Sequence, residues 1–161
     1  MILFPPPRRL SALRHVAAAA AAVGLCTTLL VSCQPPGGPH VGSLKVGHDE
    51  AVTKPADAFA PTDHLYAVAT VDGIPAGGSC KLVLMLVAAK VTGQADDFHV
   101  AALDKSFVLD RDSTATYHLS PPTNGWPLGK YRVEARLSLP DGQEKGHRAV
   151  PLTVAAPPPA R

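Results

Sequence analysis

Between residues 44 and 154 the apolar positions recur mostly every second residue, the period of a strand with one buried face, and not every third or fourth. Tyr131, Val133, Ala135 and Leu137 alternate with Arg132, Glu134 and Arg136, which predicts a half-buried strand. Leu65, Ala67, Ala69 and Val71 alternate with Tyr66, Val68 and Thr70 and stop at the turn dipeptide Asp72-Gly73. Thr116 and His118 stand opposite Ala115, Tyr117 and Leu119. Phe98, Val100 and Ala102 predict a further strand, and residues 106–109 a short one. Residues 80–87 (CKLVLMLV) are apolar on both faces, the pattern of a strand central in a two-layer structure, and residues 88–90 either continue it or leave it as loop. Pro140-Asp141-Gly142 is a turn into a closing strand over residues 144–154, and residues 44–46 open the set. About seven to eight short strands at spacings of roughly 10 to 15 residues predict an all-β antiparallel sandwich over residues 44–154.

The flanks have a different character. Residues 1–15 carry Arg8, Arg9 and Arg14 with no acidic residue, and residues 16–31 (VAAAAAAVGLCTTLLV) form an apolar run that ends at Ser32-Cys33. A positive flank, an apolar stretch and a small residue before a cut site are the parts of an export signal, predicted as a helix over residues 1–32 that is removed. The run falls short of the ~20 apolar residues a bilayer span needs. Its last four residues, Leu30-Val31-Ser32-Cys33, resemble the lipobox of bacterial lipoproteins. That resemblance implies cleavage between Ser32 and Cys33 and two or three acyl chains, palmitate among them, on Cys33. Two or more chains anchor stably where one does so only marginally. Gln34, in place of an Asp, implies an outer-membrane destination facing the periplasm.

Behind Cys33, residues 34–43 (QPPGGPHVGS) predict a solvated tether with a reach of roughly 30 Å. Residues 155–161 (AAPPPAR) predict a disordered proline-rich tail.

Removal of the signal changes the charge. The chain carries 15 Lys and Arg against 13 Asp and Glu, a net +2; without Arg8, Arg9 and Arg14 the balance is 12 against 13, a net −1. No basic stripe is left to neutralise phosphates, which argues against a nucleic-acid partner. Of three cysteines, Cys26 leaves with the signal and Cys33 is the lipid site, so Cys80 stands alone and no internal disulfide is expected. Its alternation with Leu82, Leu84 and Leu86 reads as a small core residue, and otherwise as an accessible thiol.

Phe59-Ala60-Pro61-Thr62-Asp63-His64-Leu65-Tyr66, followed some sixty residues later by Gly125-Trp126-Pro127-Leu128-Gly129-Lys130-Tyr131-Arg132-Val133, resembles the framework of immunoglobulin-like domains in secreted and lipid-anchored bacterial proteins. The resemblance implies an immunoglobulin-like sandwich, with the first motif leading into an early strand and the second turning into the penultimate one. It implies structural work for Phe59, Pro61, Asp63, Trp126, Pro127, Gly129 and Tyr131. Gly129 frees the turn and Pro127 stiffens the approach to it. The Tyr131 hydroxyl bonds back to upstream backbone, as in a tyrosine corner. Trp126 covers the open end of the core or, alternatively, anchors a partner. The paired inter-sheet cysteines of antibody domains are absent.

Little else points to chemistry. His40, His48, His64, His99, His118 and His147 are not spaced two to four residues apart as local metal motifs are, so a site would have to assemble from distant strands, for example His64 with His118 or His147. Asp96-Asp97 and Asp110-Arg111-Asp112 lack the oxygen count and glycine of a calcium loop. None of Ser43, Ser79, Ser106, Ser113, Ser120 and Ser138 lies in a Gly-x-Ser-x-Gly elbow. The residues therefore predict neither an enzyme nor a cofactor or resident metal. The expected role is a non-catalytic interaction or structural module, anchored to the membrane at Cys33 and partnered by another envelope protein. The alternative is binding of a small ligand or metal through the scattered histidines.

Overall fold

The computed structural model describes residues 37–157, so the signal segment and the Ser32-Cys33 junction lie outside the described residues. The described chain is an all-β sandwich. Its strands are β1 (His40–Gly47), β2 (Ala58–Phe59), β3 (Leu65–Asp72), β4 (Cys80–Val91), β5 (Phe98–His99), β6 (Lys105–Leu109), β7 (Ser113–Leu119), β8 (Gly129–Ser138) and β9 (Glu144–Val154). A 3-10 turn at Ala101–Leu103 is the only helical element among the described residues, and none of their helices is long and apolar enough to cross a membrane.

One sheet has the order β1-β3-β7; the other runs β2-β9-β8-β4, with β5 and β6 sharing the far edge of β4. All pairs are antiparallel except the two-residue pairing of β2 with β9. The seven strands of five residues or more therefore form the immunoglobulin-like arrangement, β1-β3-β7 against β6-β4-β8-β9.

Period-two patterning explains the layers. Leu65, Ala67, Ala69 and Val71 of β3 and Ala115, Tyr117 and Leu119 of β7 face Leu82, Leu84 and Leu86 of β4 and Tyr131, Val133, Ala135 and Leu137 of β8, and all are buried. Removing each such Leu or Val from water contributes roughly 1.5–3 kcal/mol, so these alternations fix both strand faces and register. The doubly apolar β4 is central, with Met85 and Val87 of its other face buried beside Glu134 and Arg132 of β8. At one side the sheets meet where the Arg148 Nε donates to the Val41 carbonyl oxygen at 2.7 Å.

Three boundaries differ from the sequence expectation, and a fourth that the sequence leaves open is resolved. β1 opens at His40, four residues earlier than residue 44, because Val41 is buried and the Ser43 and Thr70 hydroxyls bond at 3.0 Å, which draws part of the expected tether into the sheet. Residues 88–90 continue β4, with a bulge between Ala88 and Lys90. Phe98, Val100 and Ala102 do not form one strand. After His99 the chain closes into the 3-10 turn through Leu103 N to Val100 O at 2.9 Å and Asp104 N to Ala101 O at 3.2 Å. Beyond β9, the Ala155 amide donates to Phe59 O at 3.0 Å, which extends the ordered edge one residue past Val154.

Candidate functional site

The two segments that carry the immunoglobulin-like resemblance meet at one end of the sandwich. The Trp126 amide donates to the Pro61 carbonyl at 2.8 Å and its indole Nε1 to the Asp63 carbonyl at 2.9 Å. Gly125, at φ +73°, permits this approach, since a Cβ there would lie 3.0 Å from the Pro61 oxygen. Asp63 is held in turn: its Oδ2 accepts from the Ala60 amide at 2.7 Å and lies 3.6 Å from His48 Nδ1. The His48 ring packs 4.3 Å from that of Phe59, which is buried and pairs with Val154.

On the other side of Trp126, the Tyr131 hydroxyl donates to the Pro127 carbonyl at 2.8 Å, four residues upstream, and burial pushes the phenol pKa up. Gly129 crosses against β4, where a Cβ would collide with the Lys90 carbonyl and lie 2.7 Å from Val91 Cα.

Together these contacts frame an apolar cleft of about 300 Å³. Leu86, Ala88 and Tyr131 form its floor, and Phe98, Leu103 and Trp126 its walls. Phe98 and, nearby, Leu128 are each 45% exposed, two of the three large apolar side chains that stand out to solvent among the described residues; the third, Val108 on β6, lies outside the cleft. The Leu103 wall is fixed by the buried Tyr117, whose hydroxyl donates to the Leu103 carbonyl at 2.6 Å. Gln94 is the one amide side chain in the lining, and Tyr131, already bonded, the one ionisable group. The cleft can hold an apolar group and orient it; its lining offers no free acid, base or nucleophile.

The other residues singled out in the sequence fall elsewhere. His64 and His118 meet on the outer face of the three-stranded sheet, Nδ1 to Nε2 at 2.9 Å, with the His118 ring stacked on Tyr66. His147 does not join them; it lies on the other sheet, 3.3 Å from Glu134. Among the described residues no three His, Cys, Asp or Glu side chains converge as a metal cluster. Asp96 and Asp97 do not form a site: Asp97 pairs with Arg132 across 35 residues. Asp110 pairs with Arg111, whose hydrogen bond and charge pull its carboxyl below the usual range, and Asp112 accepts from the Ile74 amide at 2.8 Å. Cys80 is buried, and burial pushes its thiol pKa up. Cys33 and Ser32 lie outside the described residues.

Sequence reasoning missed two features. One is the cleft wall built by Phe98 and Leu103; the mixed apolar run over residues 98–103 was its only trace. The other is Glu134, buried on the outer face of β8. It accepts from Arg132 Nε at 2.5 Å and from Arg136 at 3.0 Å. The alternation Arg132-x-Glu134-x-Arg136 carried that signal.

Fold and site thus define an immunoglobulin-like domain with an apolar end cleft. No family model matches the chain, and no curated protein matches it. Among solved structures it is similar to a β-glucosidase from Listeria innocua. A mutant of that enzyme in complex with laminaribiose aligns at 12% identity over 71% of this chain and 16% of that chain, with a TM-score of 0.44. The enzyme in complex with isofagomine aligns at 12% identity over 70% and 16%, with a TM-score of 0.37. The chain spans about 16% of the length of that neighbour.

Proposed function

We propose that this chain is a lipid-anchored envelope protein, acylated at Cys33 and facing the periplasm from the outer membrane, whose sandwich is a non-catalytic binding module. One observation supports it above the rest: the Trp126 cleft lies at the end of the sandwich opposite the one where β1 starts. β1 enters at His40, beside Asp72 at the end of β3 and close to Gly146 of β9. The cleft lies at the opposite end, where β8 begins at Gly129 and pairs with Val91 and Val154. Eight residues of β3 separate the two ends by roughly 25 Å. Six residues lie between Cys33 and β1, a reach of at most roughly 25 Å. A tether that joins the domain at the end opposite the cleft leaves the cleft free for a partner in the envelope.

Two measurements test this reading. Cys33→Ala is expected to move the protein from the detergent phase to the aqueous phase, and a variant that still partitions with detergent sinks the anchor. A photo-crosslinking residue at Leu128, beside the cleft, is expected to give a discrete adduct in intact cells that Phe98→Asp abolishes. The same residue at Asp141, in the β8–β9 turn at the opposite end, is expected to give none. Equal adducts from both positions, or none from Leu128, would overturn the module reading.

A further inference from the structure

We propose that His64 and His118 form a two-nitrogen site for a divalent copper ion on the outer face of the β1-β3-β7 sheet. The two rings come from chain positions 54 residues apart, yet Nδ1 of His64 lies 2.9 Å from Nε2 of His118. A copper ion bound by imidazoles at about 2.0–2.1 Å in a tetragonal field, with the two nitrogens in adjacent corners, sets those nitrogens about 2.9 Å apart. A tetrahedral ion would need them nearer 3.3 Å. The hydrogen bond between the two rings thus holds their nitrogens at a spacing that also fits adjacent corners of a tetragonal copper site. Only the rings must tilt, so that their lone pairs converge beside the line joining them, and the terminal torsion of histidine is soft.

The frame around the pair is fixed. His118 lies in the β7 ladder opposite Tyr66, and its ring stacks on the Tyr66 ring at 4.4 Å with an interplanar angle of 8°. His64 directly precedes β3 and follows Asp63, which the Ala60 amide and the Trp126 indole both engage. Both histidines are exposed, so an ion can enter and its remaining positions stay open to water or to a donor from a partner.

No other pair of described histidines meets in this way. His40 bonds to Gly38 O, His48 lies beside Asp63, His99 bonds Asp104 and His147 bonds Glu134. Without metal, one ring of the pair donates its N–H to the other. On binding, that ring carries its proton on its second nitrogen instead, which frees both facing lone pairs for the ion. Among divalent ions, imidazole donors favour copper, which heads the affinity order.

The test is a titration of the full-length, detergent-solubilised protein with cupric chloride, read by electron paramagnetic resonance. The expected result is one ion per chain with a tetragonal signal and hyperfine splitting from two imidazole nitrogens. Zinc chloride should compete about tenfold or more less effectively. His64→Gln and His118→Gln, both at exposed positions, are each expected to weaken binding by about tenfold or more and to remove the paired-nitrogen pattern, while His147→Gln leaves both unchanged. Melting curves matching the parent show that the variants fold. An unaltered affinity in the His64→Gln/His118→Gln double variant overturns the proposal. So does a parent spectrum without two imidazole nitrogens, a reading that depends on no variant.

Discussion

The indole Nε1 of Trp126 donates to the main-chain oxygen of Asp63 at 2.9 Å, joining two loops 63 residues apart. Because Trp126 is buried, this bond satisfies a polar atom that water cannot reach freely, and the indole also forms a wall of the cleft. Trp126→Phe keeps much of the ring but leaves the Asp63 carbonyl short of a partner, at an expected cost of about 1–3 kcal/mol. Trp126→Ala adds a cavity, for about 3–5 kcal/mol. Urea unfolding measures both. A Phe variant as stable as the parent would show that the indole bond contributes nothing net.

Gly129 and Gly142 separate two reasons for glycine. Both sit at positive φ, +151° and +87°. Around Gly142 there is open space, so Gly142→Ala bears only the backbone strain, about 1 kcal/mol. At Gly129 the added methyl meets main-chain atoms of Lys90 and Val91, which cannot swing aside, so Gly129→Ala is expected to cost about 3 kcal/mol or more. Thermal melting of the two variants should show the larger drop at Gly129; equal drops would mean that the β4 bulge yields to the methyl.

Glu134 predicts an acid limb to stability. Burial pushes its carboxyl pKa up, but hydrogen bonds from Arg132 and Arg136 outweigh burial and hold it below the ordinary 4.5. A depressed pKa contributes stability that is present above 4.5 and lost as pH falls through the folded value. Glu134→Gln should therefore lower stability at neutral pH, by roughly 1.5 kcal/mol, the low end for a charged hydrogen bond, because Arg132 and Arg136 are 30% and 51% exposed and partly regain water. Urea unfolding from pH 7 to pH 3 should show that gap closing, and a constant gap would assign the loss to packing.

What was legible in the sequence follows from where the information lies. Strand faces were legible because burial of Leu65, Ala67, Val133 or Leu137 selects one parity along the chain, and parity is local. The two-residue pairing of Ala58–Phe59 with β9 was not, since two residues carry no period. The alternation of Phe98, Val100 and Ala102 misled because apolar side chains around a cleft mouth repeat like a strand without being covered like one; Phe98 stays half exposed. The burial of Glu134 needs Arg132, Arg136 and His147 from two strands at once, and the His64–His118 contact needs the β3–β7 register. Sequence spacing named that second pair only as one combination among several.

Tyr117 links the core to the cleft and carries the last prediction. Its hydroxyl, fully buried, donates at 2.6 Å to the carbonyl of Leu103, the residue that closes the 3-10 turn and forms a cleft wall. Tyr117→Phe removes the donor and leaves that oxygen short of a partner, for about 1–3 kcal/mol. Hydrogen exchange at the Leu103 and Asp104 amides, which close the turn, should quicken more than exchange in β8. Burial, and secondarily the charge of Asp104, push the Tyr117 pKa above the ordinary 10.0. A raised pKa contributes stability that is intact below pH 10 and lost as pH climbs toward the folded value, because the unfolded chain ionises first. Urea unfolding between pH 8 and pH 11 should thus show the parent losing stability with a steeper slope than Tyr117→Phe. Cys80 and Tyr131, both also raised by burial, keep the variant losing some stability over the same range. Equal slopes in the two proteins would mean that Tyr117 ionises in the folded chain as readily as in the unfolded one.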